Sequence, residues 1–457
     1  MAQLTADLAR FVSELRLESI PEQGRAIAKT GFIDCYGVMV AGAREPVVGL
    51  VDRTLAGEDT QDGASLIPSG QRRKVADAAL VNGVAAHVLD YDDVSLDGHP
   101  SAVLVPAILA QAEASGASGA EMLTAYVAGY EVWAELFRRE DGHLHDKGWH
   151  PTAVLGAVAA AAACAKLRRM DPAATATAIA AAGSMSAGLV SNFGTMTKSF
   201  QVGRAAQSGV IAAALAAAGF TASPDALEHR AGFLMALSPG GKPDRDSPAT
   251  RLGSEWQILH HGLNVKRYPV CYATHRSIDG ALDLAQKHDL KPADIDSIRV
   301  STGDTQMLML RNHRPQTGLE AKFSMHFAMA SSIVARNVGL SELTDEFVLR
   351  PEVQELMGRV TCETTSETMP DLSFAPADSV VIRTRGGKDL ESGPIERAKG
   401  SHQKPLSSEE LRTKFTDCMA RELPDATTSR VFERFMALER LNTAADLVRP
   451  RAGAAAS

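Results

Sequence analysis

The sequence predicts a mainly α-helical fold, in which a smaller α+β domain is inserted between a large all-helical domain and the C-terminal helices that complete it. Apolar residues recur at helical spacing along most of residues 1–264. Segments with strand-like alternation occur between residues 265 and 400. Helical spacing then returns, so residues 401–457 are predicted to pack back on the first domain.

Composition limits the class of protein. The chain has 457 residues, of which 45% are hydrophobic and 22% charged, so two or three domains are expected. A net charge of −8 argues against nucleic acid or an acidic membrane as a partner, because either would select a basic face. Five cysteines without a CxxC pair predict reduced thiols in a cytoplasmic protein. The most apolar run, residues 153–167, is too short to span a bilayer.

The helical elements follow in order along the first domain. Each holds apolar residues at helical spacing, and several end in glycine or in basic residues, as helix C-termini tend to. Alanine and glycine on facing surfaces let helices approach closely, which predicts a tightly packed helical core. The segments are 75–90, 101–116, 119–136, 153–170 and 203–220.

The predicted α+β domain contains three strand-like stretches and one helix. Residues 294–302 place Ile295, Ser297 and Arg299 on one face, and Ile298 and Val300 on the other. The other elements are a strand at 358–365, a hairpin at 378–392 that turns at Gly386-Gly387, and a helix at 321–339. A helix is again predicted at 407–422, where Ser408 and two glutamates begin it.

One short motif occurs twice. His99 and His150 each precede Pro-Ser/Thr-Ala-Val and a long apolar stretch. Because proline suits the first position of a helix, both histidines are predicted at helix N-termini, where the dipole favours neutral imidazole and free N–H groups can hold an anion. A neutral base beside a bound carboxylate suits proton transfer at the adjacent carbon. The alternative is that both histidines only cap and pack against their helices and have no catalytic role.

Charged residues surround these two histidines in the sequence. Asp90 ends an apolar helical run and is predicted at an inner surface, where it could orient a histidine or act as an acid. The remaining acidic residues up to Asp97 suit a solvated loop. Lys198 precedes one apolar helix, and Lys266 and Cys271 lie at the predicted domain junction. A basic residue from each domain could bind a polycarboxylate, although surface charge is the alternative reading.

Other motifs give weaker signals. Residues 188–199 resemble a phosphate-binding loop, but the lysine does not follow the second glycine. His143 and His145 lie near acidic residues and could bind a metal, although solvated loop histidines are the favoured interpretation. Neither a dinucleotide-binding glycine motif nor a hydrolase nucleophile motif occurs.

Five blocks of the sequence, taken in order and spacing, resemble the MmgE/PrpD family, which includes 2-methylcitrate dehydratase, cis-aconitate decarboxylase and iminodisuccinate epimerase. The resemblance implies a helical domain with an α+β lid, a homodimer, no metal or organic cofactor, and an active site in the cleft between the domains. The blocks are HVLDYDDVSLDGHPSAVLVPAILA, GWHPTAVLGAVAAAAACAKL, KSFQVGRAAQSGVIAAALAAAGFTASPDALEHRAGFL, KRYPVCYATHRSIDGAL and AKFSMHFAMASSIV.

The resemblance also implies site residues. By motif position, the family's functional residues fall on Asp90, His99, His150, Lys198 and Lys266. Two positions depart from the decarboxylase pattern, because Val94 stands in place of a threonine and Cys271 in place of a histidine. The predicted catalytic residues are therefore Asp90, His99 and His150, and the predicted substrate-binding residues are Lys198, Lys266 and Cys271.

These observations predict a cofactor-independent lyase, either a hydro-lyase or a carboxy-lyase, acting on a small di- or tricarboxylate. Isomerisation of an iminodisuccinate-like dicarboxylate is the first alternative, because two histidines could remove and return one α-proton from opposite faces. A non-catalytic protein that binds a polycarboxylate is the second.

Overall fold

Helices dominate the chain and strands form a small part of it, which confirms the predicted mainly α fold. The structure is a computed structural model and describes residues 3–57, 59–369 and 374–448. The chain forms two compact units. The first contains the described residues up to Asn264 and those from Ser407 onward, and the second contains Val265–Leu406. None of the described helices is both long enough and apolar enough to cross a membrane.

Among the described residues, the N-terminal part of the first unit contains eleven α-helices and one short antiparallel ladder. The helices are α1 (Leu4–Glu14), α2 (Glu22–Gly42), α3 (Pro46–Val51), α4 (Val75–His87), α5 (Pro100–Ser115), α6 (Gly119–Phe137), α7 (Pro151–Leu167), α8 (Pro172–Ser184), α9 (Met196–Ala217), α10 (Phe233–Leu237) and α11 (Gln257–His261). The ladder pairs β1 (Ala64–Ser65) with β2 (Arg72–Arg73). Short 3-10 turns occur at Leu17–Ser19, Leu144–Lys147 and Val190–Asn192, and a π turn at Asp52–Ala56.

In the part of the second unit that the structure describes, six helices pack with a four-stranded sheet. Its helices are α12 (His275–Lys287), α13 (Asp304–Met309), α14 (Gly318–Ala321), α15 (Met325–Val334), α16 (Asp345–Val348) and α17 (Pro351–Met357). The strands β3 (Ile295–Gly303), β4 (Val360–Thr365), β5 (Ser379–Thr384) and β6 (Asp389–Glu391) lie in the order β4-β3-β5-β6. The β3–β4 pair is parallel and the other two pairs are antiparallel.

One expectation for β3 is wrong. The alternation predicted Ile295 on the same face as Ser297 and Arg299, yet Ile295 is buried together with Ile298 and Val300. The pairing of β3 with β5 shifts register between Ile295 and Ser297. Because an extra residue at such a bulge reverses the alternation of side chains, Ile295 joins the apolar face.

The C-terminal helices belong to the first unit. They are α18 (Ser408–Met419), α19 (Asp425–Met436) and α20 (Ala445–Val448). Lys414 of α18 is buried, with its Nζ 2.5 Å from a carboxylate oxygen of Asp34 in α2. The same Nζ donates a hydrogen bond of 2.8 Å to the carbonyl of Tyr91. The C-terminal segment therefore holds the chain just beyond α4 in place.

Small residues determine how closely the helices of the first unit pack. A Cβ atom on Gly83 of α4 would lie 2.7 Å from the Cα of Gly203 in α9, and one on Gly203 would lie 2.3 Å from the carbonyl oxygen of Leu80. Both distances are shorter than any tolerable contact, so only glycine permits this approach. The contact matters for the site because α4 ends at His87, and α9 carries Lys198 and Gln201 in its first two turns.

Candidate active site

The segment that joins α4 to α5 holds an unusual backbone. Asp90, Leu96 and Asp97 adopt left-handed conformations, with φ values of 54°, 50° and 57°. Each such non-glycine residue costs on the order of 1 kcal/mol or more, so the surrounding contacts must compensate. Ser95 and Gly98 exchange two backbone hydrogen bonds of 2.9 Å, which closes the turn before α5. Backbone strain at this density is typical of functional segments.

The repeated His-Pro motif forms two helix starts, as the sequence predicts. His99 is the N-cap of α5 and His150 the N-cap of α7, and in both helices proline takes the first turn. The backbone N–H of His99 donates to the hydroxyl of Thr152 at 3.2 Å, so the two helix starts are neighbours. The two histidines therefore lie in one region of the first unit.

His150 has a neutral partner. Its Nδ1 lies 2.8 Å from Oε1 of Gln201, and Nε2 of Gln201 donates to the carbonyl of Leu189 at 3.2 Å. Because a carbonyl can only accept, the amide of Gln201 must present its oxygen to the histidine. His150 therefore carries its proton on Nδ1 and leaves the lone pair on Nε2 available as a base.

His99 has a charged partner. Its Nδ1 lies 2.9 Å from Oδ2 of Asp92, although the ring is turned away from ideal hydrogen-bond geometry. The Asp92 side chain is fully buried, whereas 13% of the His99 side chain is exposed. Asp92 therefore places a buried carboxylate beside the ring of His99.

A third histidine completes the cluster. Nδ1 of His87 lies 3.1 Å from Oδ1 and 3.0 Å from Oδ2 of Asp92. The ring centroid of His87 is 4.5 Å from that of His99 and 6.2 Å from that of His150. His87, Asp92 and Gln201 were not among the site residues predicted from the sequence.

Burial determines the protonation of these groups. It lowers the pKa of His150 to about 2, and the neighbouring His87 and Lys198 add to the effect. It likewise lowers the pKa of His87 to about 4, although Asp92 opposes the shift. Burial raises the pKa of Asp92, but the interactions with His87 and His99 outweigh it and hold that pKa well below the usual value. At pH 7 both His150 and His87 are neutral and Asp92 is ionised.

Asp90 and Lys198 form the ion pair of the cluster. Nζ of Lys198 lies 2.8 Å from Oδ1 of Asp90 and 5.2 Å from the ring centroid of Phe193. Phe193 packs edge-on against His150, with centroids 4.8 Å apart. The structure thus brings Asp90, His99, His150 and Lys198 to the same end of the α4–α9 helix pair.

The cluster also contains the atoms of a possible metal site. Among residues 3–57, 59–369 and 374–448, the set of three donors close enough to hold an ion is His87, Asp92 and His99, whose ligand atoms lie within 4.8 Å of one another. Hydrogen bonding of His87 to both carboxylate oxygens accounts for that arrangement without an ion. His143, considered as a metal ligand from the sequence, instead pairs with Asp97 at 3.0 Å on the surface.

The two remaining predicted residues belong to the second unit. Lys266 is buried, and the backbone N–H of Cys271 donates to the carbonyl of Lys322 at 2.9 Å. Their roles in substrate binding, and the cleft in which the active site was expected, stay predictions. Val94, the other departure from the decarboxylase pattern, exchanges two backbone hydrogen bonds of 2.9 Å with Asn264.

Comparison with known proteins identifies the family. The family models of the MmgE/PrpD N-terminal and C-terminal domains match residues 6–246 and 268–438. The chain belongs to the MmgE/PrpD family. This family assignment covers both units and agrees with the sequence blocks that contain the clustered histidines.

Similar curated proteins are cis-aconitate decarboxylases. The enzyme of Mus musculus is 30% identical over 355 residues, which cover 74% of this MmgE/PrpD chain and 70% of the relative. The human enzyme is 28% identical over 352 residues, covering 74% and 71%. The enzyme of Aspergillus terreus is 24% identical over 469 residues, covering 97% and 95%. These relatives support a lyase of the MmgE/PrpD family.

Proposed function

We propose that this MmgE/PrpD protein is a cofactor-independent lyase that acts on a small di- or tricarboxylate by proton transfer at a carbon next to a carboxylate. The observation that supports it most is the pair of helix-capping histidines with unlike partners, His99 beside Asp92 and His150 beside Gln201. One group suits delivery of a proton and the other suits its removal.

The cis-aconitate decarboxylase relatives make decarboxylation of an unsaturated tricarboxylate the first reaction to test. In that reaction the C–C bond to one carboxylate breaks and CO2 leaves. The electron pair of the broken bond forms a new C=C double bond. The electrons of the former double bond take up a proton at the carbon next to another carboxylate. His99, held beside Asp92, would supply that proton and would regain one from solvent.

Dehydration of a hydroxy tricarboxylate such as 2-methylcitrate is the second candidate, and the lone pair on Nε2 of His150 favours it. There Nε2 of His150 would remove the α-proton, and the hydroxyl group would leave as water with a proton from His99. Lys198 would offset the charge that develops on the carboxylate. Lys266 and Cys271 remain the proposed additional substrate contacts.

Proton NMR of the purified protein with cis-aconitate, citrate, 2-methylcitrate and iminodisuccinate tests the proposal. A lyase releases CO2 or water from at least one of them, whereas an epimerase only labels the α-carbon with deuterium in D2O. Absence of any turnover, combined with a thermal shift on ligand addition, would contradict the proposal and support the non-catalytic alternative.

His150→Asn separates the two lyase reactions. Asparagine can keep a donor toward Gln201 but lacks any group at the position of Nε2. A hydro-lyase should then lose turnover by roughly 10²- to 10⁴-fold, because it loses its base. A carboxy-lyase that needs only the proton of His99 should lose far less.

We further infer, from family resemblance, that the protein is a cytoplasmic homodimer. Light scattering coupled to size-exclusion chromatography checks the stoichiometry, and a monomer at micromolar concentration would contradict it. Fractionation of the cells that express the protein checks the location.

A further inference from the structure

His87 has no assigned role, yet it is the most enclosed histidine of the cluster. Its side chain is fully buried, it ends α4, and its ring contacts those of both His99 and His150. A buried polar group without function is costly, so a histidine in place of an apolar residue here needs a reason.

The hydrogen bonding of His87 is asymmetric. Nδ1 contacts both oxygens of Asp92, whereas Nε2 is buried and has no hydrogen-bond partner among the described residues. Since the ionised carboxylate can only accept, Nδ1 of His87 must carry the ring proton. The contact therefore fixes both the tautomer of His87 and the plane of the Asp92 carboxylate.

The orientation of Asp92 matters because the same oxygen that contacts His87 also faces His99. Oδ2 of Asp92 lies 3.0 Å from Nδ1 of His87 and 2.9 Å from Nδ1 of His99. A carboxylate that faced His99 alone would be free to rotate about its Cβ–Cγ bond. His87 removes that freedom, as outer partners do for the ligands of a catalytic group.

We propose that His87 is a positioning residue that acts through Asp92 on His99, by holding the carboxylate in the orientation in which Oδ2 faces Nδ1 of His99. This inference rests on the proposed function, because it assumes that His99 carries the reacting proton. What it adds is a specific dependence: His87 acts through its Nδ1–H alone.

Two replacements of His87 test that dependence. Asparagine places its amide N–H near the position of Nδ1, whereas glutamine places it near Nε2. His87→Gln should lower kcat by roughly 10- to 100-fold with little change in KM, the usual effect of losing an outer partner. His87→Asn should recover most of that loss. Equal losses of kcat in the two variants would overturn the proposal, because a residue that only fills space would not depend on where the amide N–H lies.

A double-mutant cycle tests whether the effect passes through Asp92. Asp92→Asn should lower kcat by roughly 100-fold, and adding His87→Gln should change it by no more than about twofold, since residues that act in series are not additive. Full additivity would overturn the proposal. Loss of turnover on chelation that Zn²⁺ restores would also overturn it, because His87 and Asp92 would then be metal ligands.

His143→Gln is the matched control. His143 also contacts an aspartate through Nδ1, at 3.0 Å from Asp97, but its side chain is 58% exposed. This variant should keep wild-type kcat.

A measurement without turnover separates the two proposals. In ¹⁵N-histidine-labelled protein, Nδ1 of His87 should be protonated and Nε2 unprotonated, and His87→Gln should shift the signals of His99 while His143→Gln does not. If the wild type consumed none of the acids but these spectra held, the proposed function alone would fail. Protonation of Nε2 in place of Nδ1 would overturn the positioning role.

Discussion

The two His-Pro helix starts have nearly the same local sequence but different chemistry. His99 and His150 each cap a helix that begins with proline, so the helix dipole acts on both alike. Their side-chain partners differ, because Asp92 is an ionised carboxylate and Gln201 a neutral amide. The comparison shows that a local motif can position a histidine at a helix start, whereas the packing of distant segments determines which side chain lies beside it.

Replacing His99 should have the largest effect, because both proposed lyase reactions need its proton. His99→Asn can keep a donor toward Asp92 but removes Nε2. We expect kcat to fall by roughly 10²- to 10⁴-fold, the range for a lost general acid. The measurement is turnover of the best substrate by NMR, with circular dichroism to confirm folding. Retention of more than a tenth of wild-type turnover would contradict the assignment of His99 as the proton donor.

Acid sensitivity should be the next largest effect. The pKa of His150 in the folded state is about 2, below the ordinary histidine value of about 6.5. Between those values the unfolded chain binds the proton and the folded one does not, so stability falls as pH falls below about 6.5. At pH 5 this group alone costs about 2 kcal/mol relative to pH 7 or above.

This loss of stability is measured as the pH dependence of the denaturant midpoint in the wild type and in His150→Asn. The slope between pH 7 and pH 5 should be shallower in the variant. His260→Asn, in the C-terminal turn of α11, serves as the matched control. Identical slopes for the wild type and His150→Asn would show that His150 does not remain neutral on folding.

The smallest but most specific effect on kcat should come from giving His150 a carboxylate partner, as His99 already has in Asp92. Gln201→Glu places a carboxylate beside His150, which should raise the pKa of that histidine. If His150 is the base, the acid limb of the pH profile of kcat should move to higher pH, while kcat near pH 8 should stay close to that of the wild type. Gln111→Glu adds the same charge beside Arg168, a partner of Gln111 at 2.9 Å, and should leave the pH profile unchanged.

An unchanged pH profile of kcat in Gln201→Glu would also distinguish the two lyase reactions. A profile unaltered by Gln201→Glu, with the histidine titration shifted as expected, would show that the base function of His150 is not used in turnover. The carboxy-lyase reaction would then be favoured over the hydro-lyase reaction.

Much of the fold and half of the cluster could be predicted from sequence. Proline after each histidine determines a helix start locally, so the placement of His99 and His150 needed no tertiary information. The pairing of Gln201 with His150 joins residues 51 positions apart and depends on how α7 and α9 pack. No local pattern distinguishes that glutamine from any other on a helix.

Asp92 and His87 were overlooked for a different reason. Several aspartates follow α4, and their spacing in the sequence does not predict which of them is buried. The left-handed backbone at Asp90 changes the direction of the chain there, and Asp92 becomes fully buried. The bulge in β3 was not predicted for the same reason. One extra residue there moved the side chain of Ile295 to the opposite face of the strand, and nothing in the sequence pattern indicates it.

The contact between Gly83 and Gly203 has a consequence for the variants that such a protein can tolerate. One added methyl group at either position would wedge apart the helices that present His87, Lys198 and Gln201. Neither glycine has a side chain with which to touch a substrate, so a survey confined to residues with functional groups would classify both as neutral. Loss-of-function alleles should nevertheless accumulate there, about one helical turn along the chain from His87 in α4 and from Lys198 in α9.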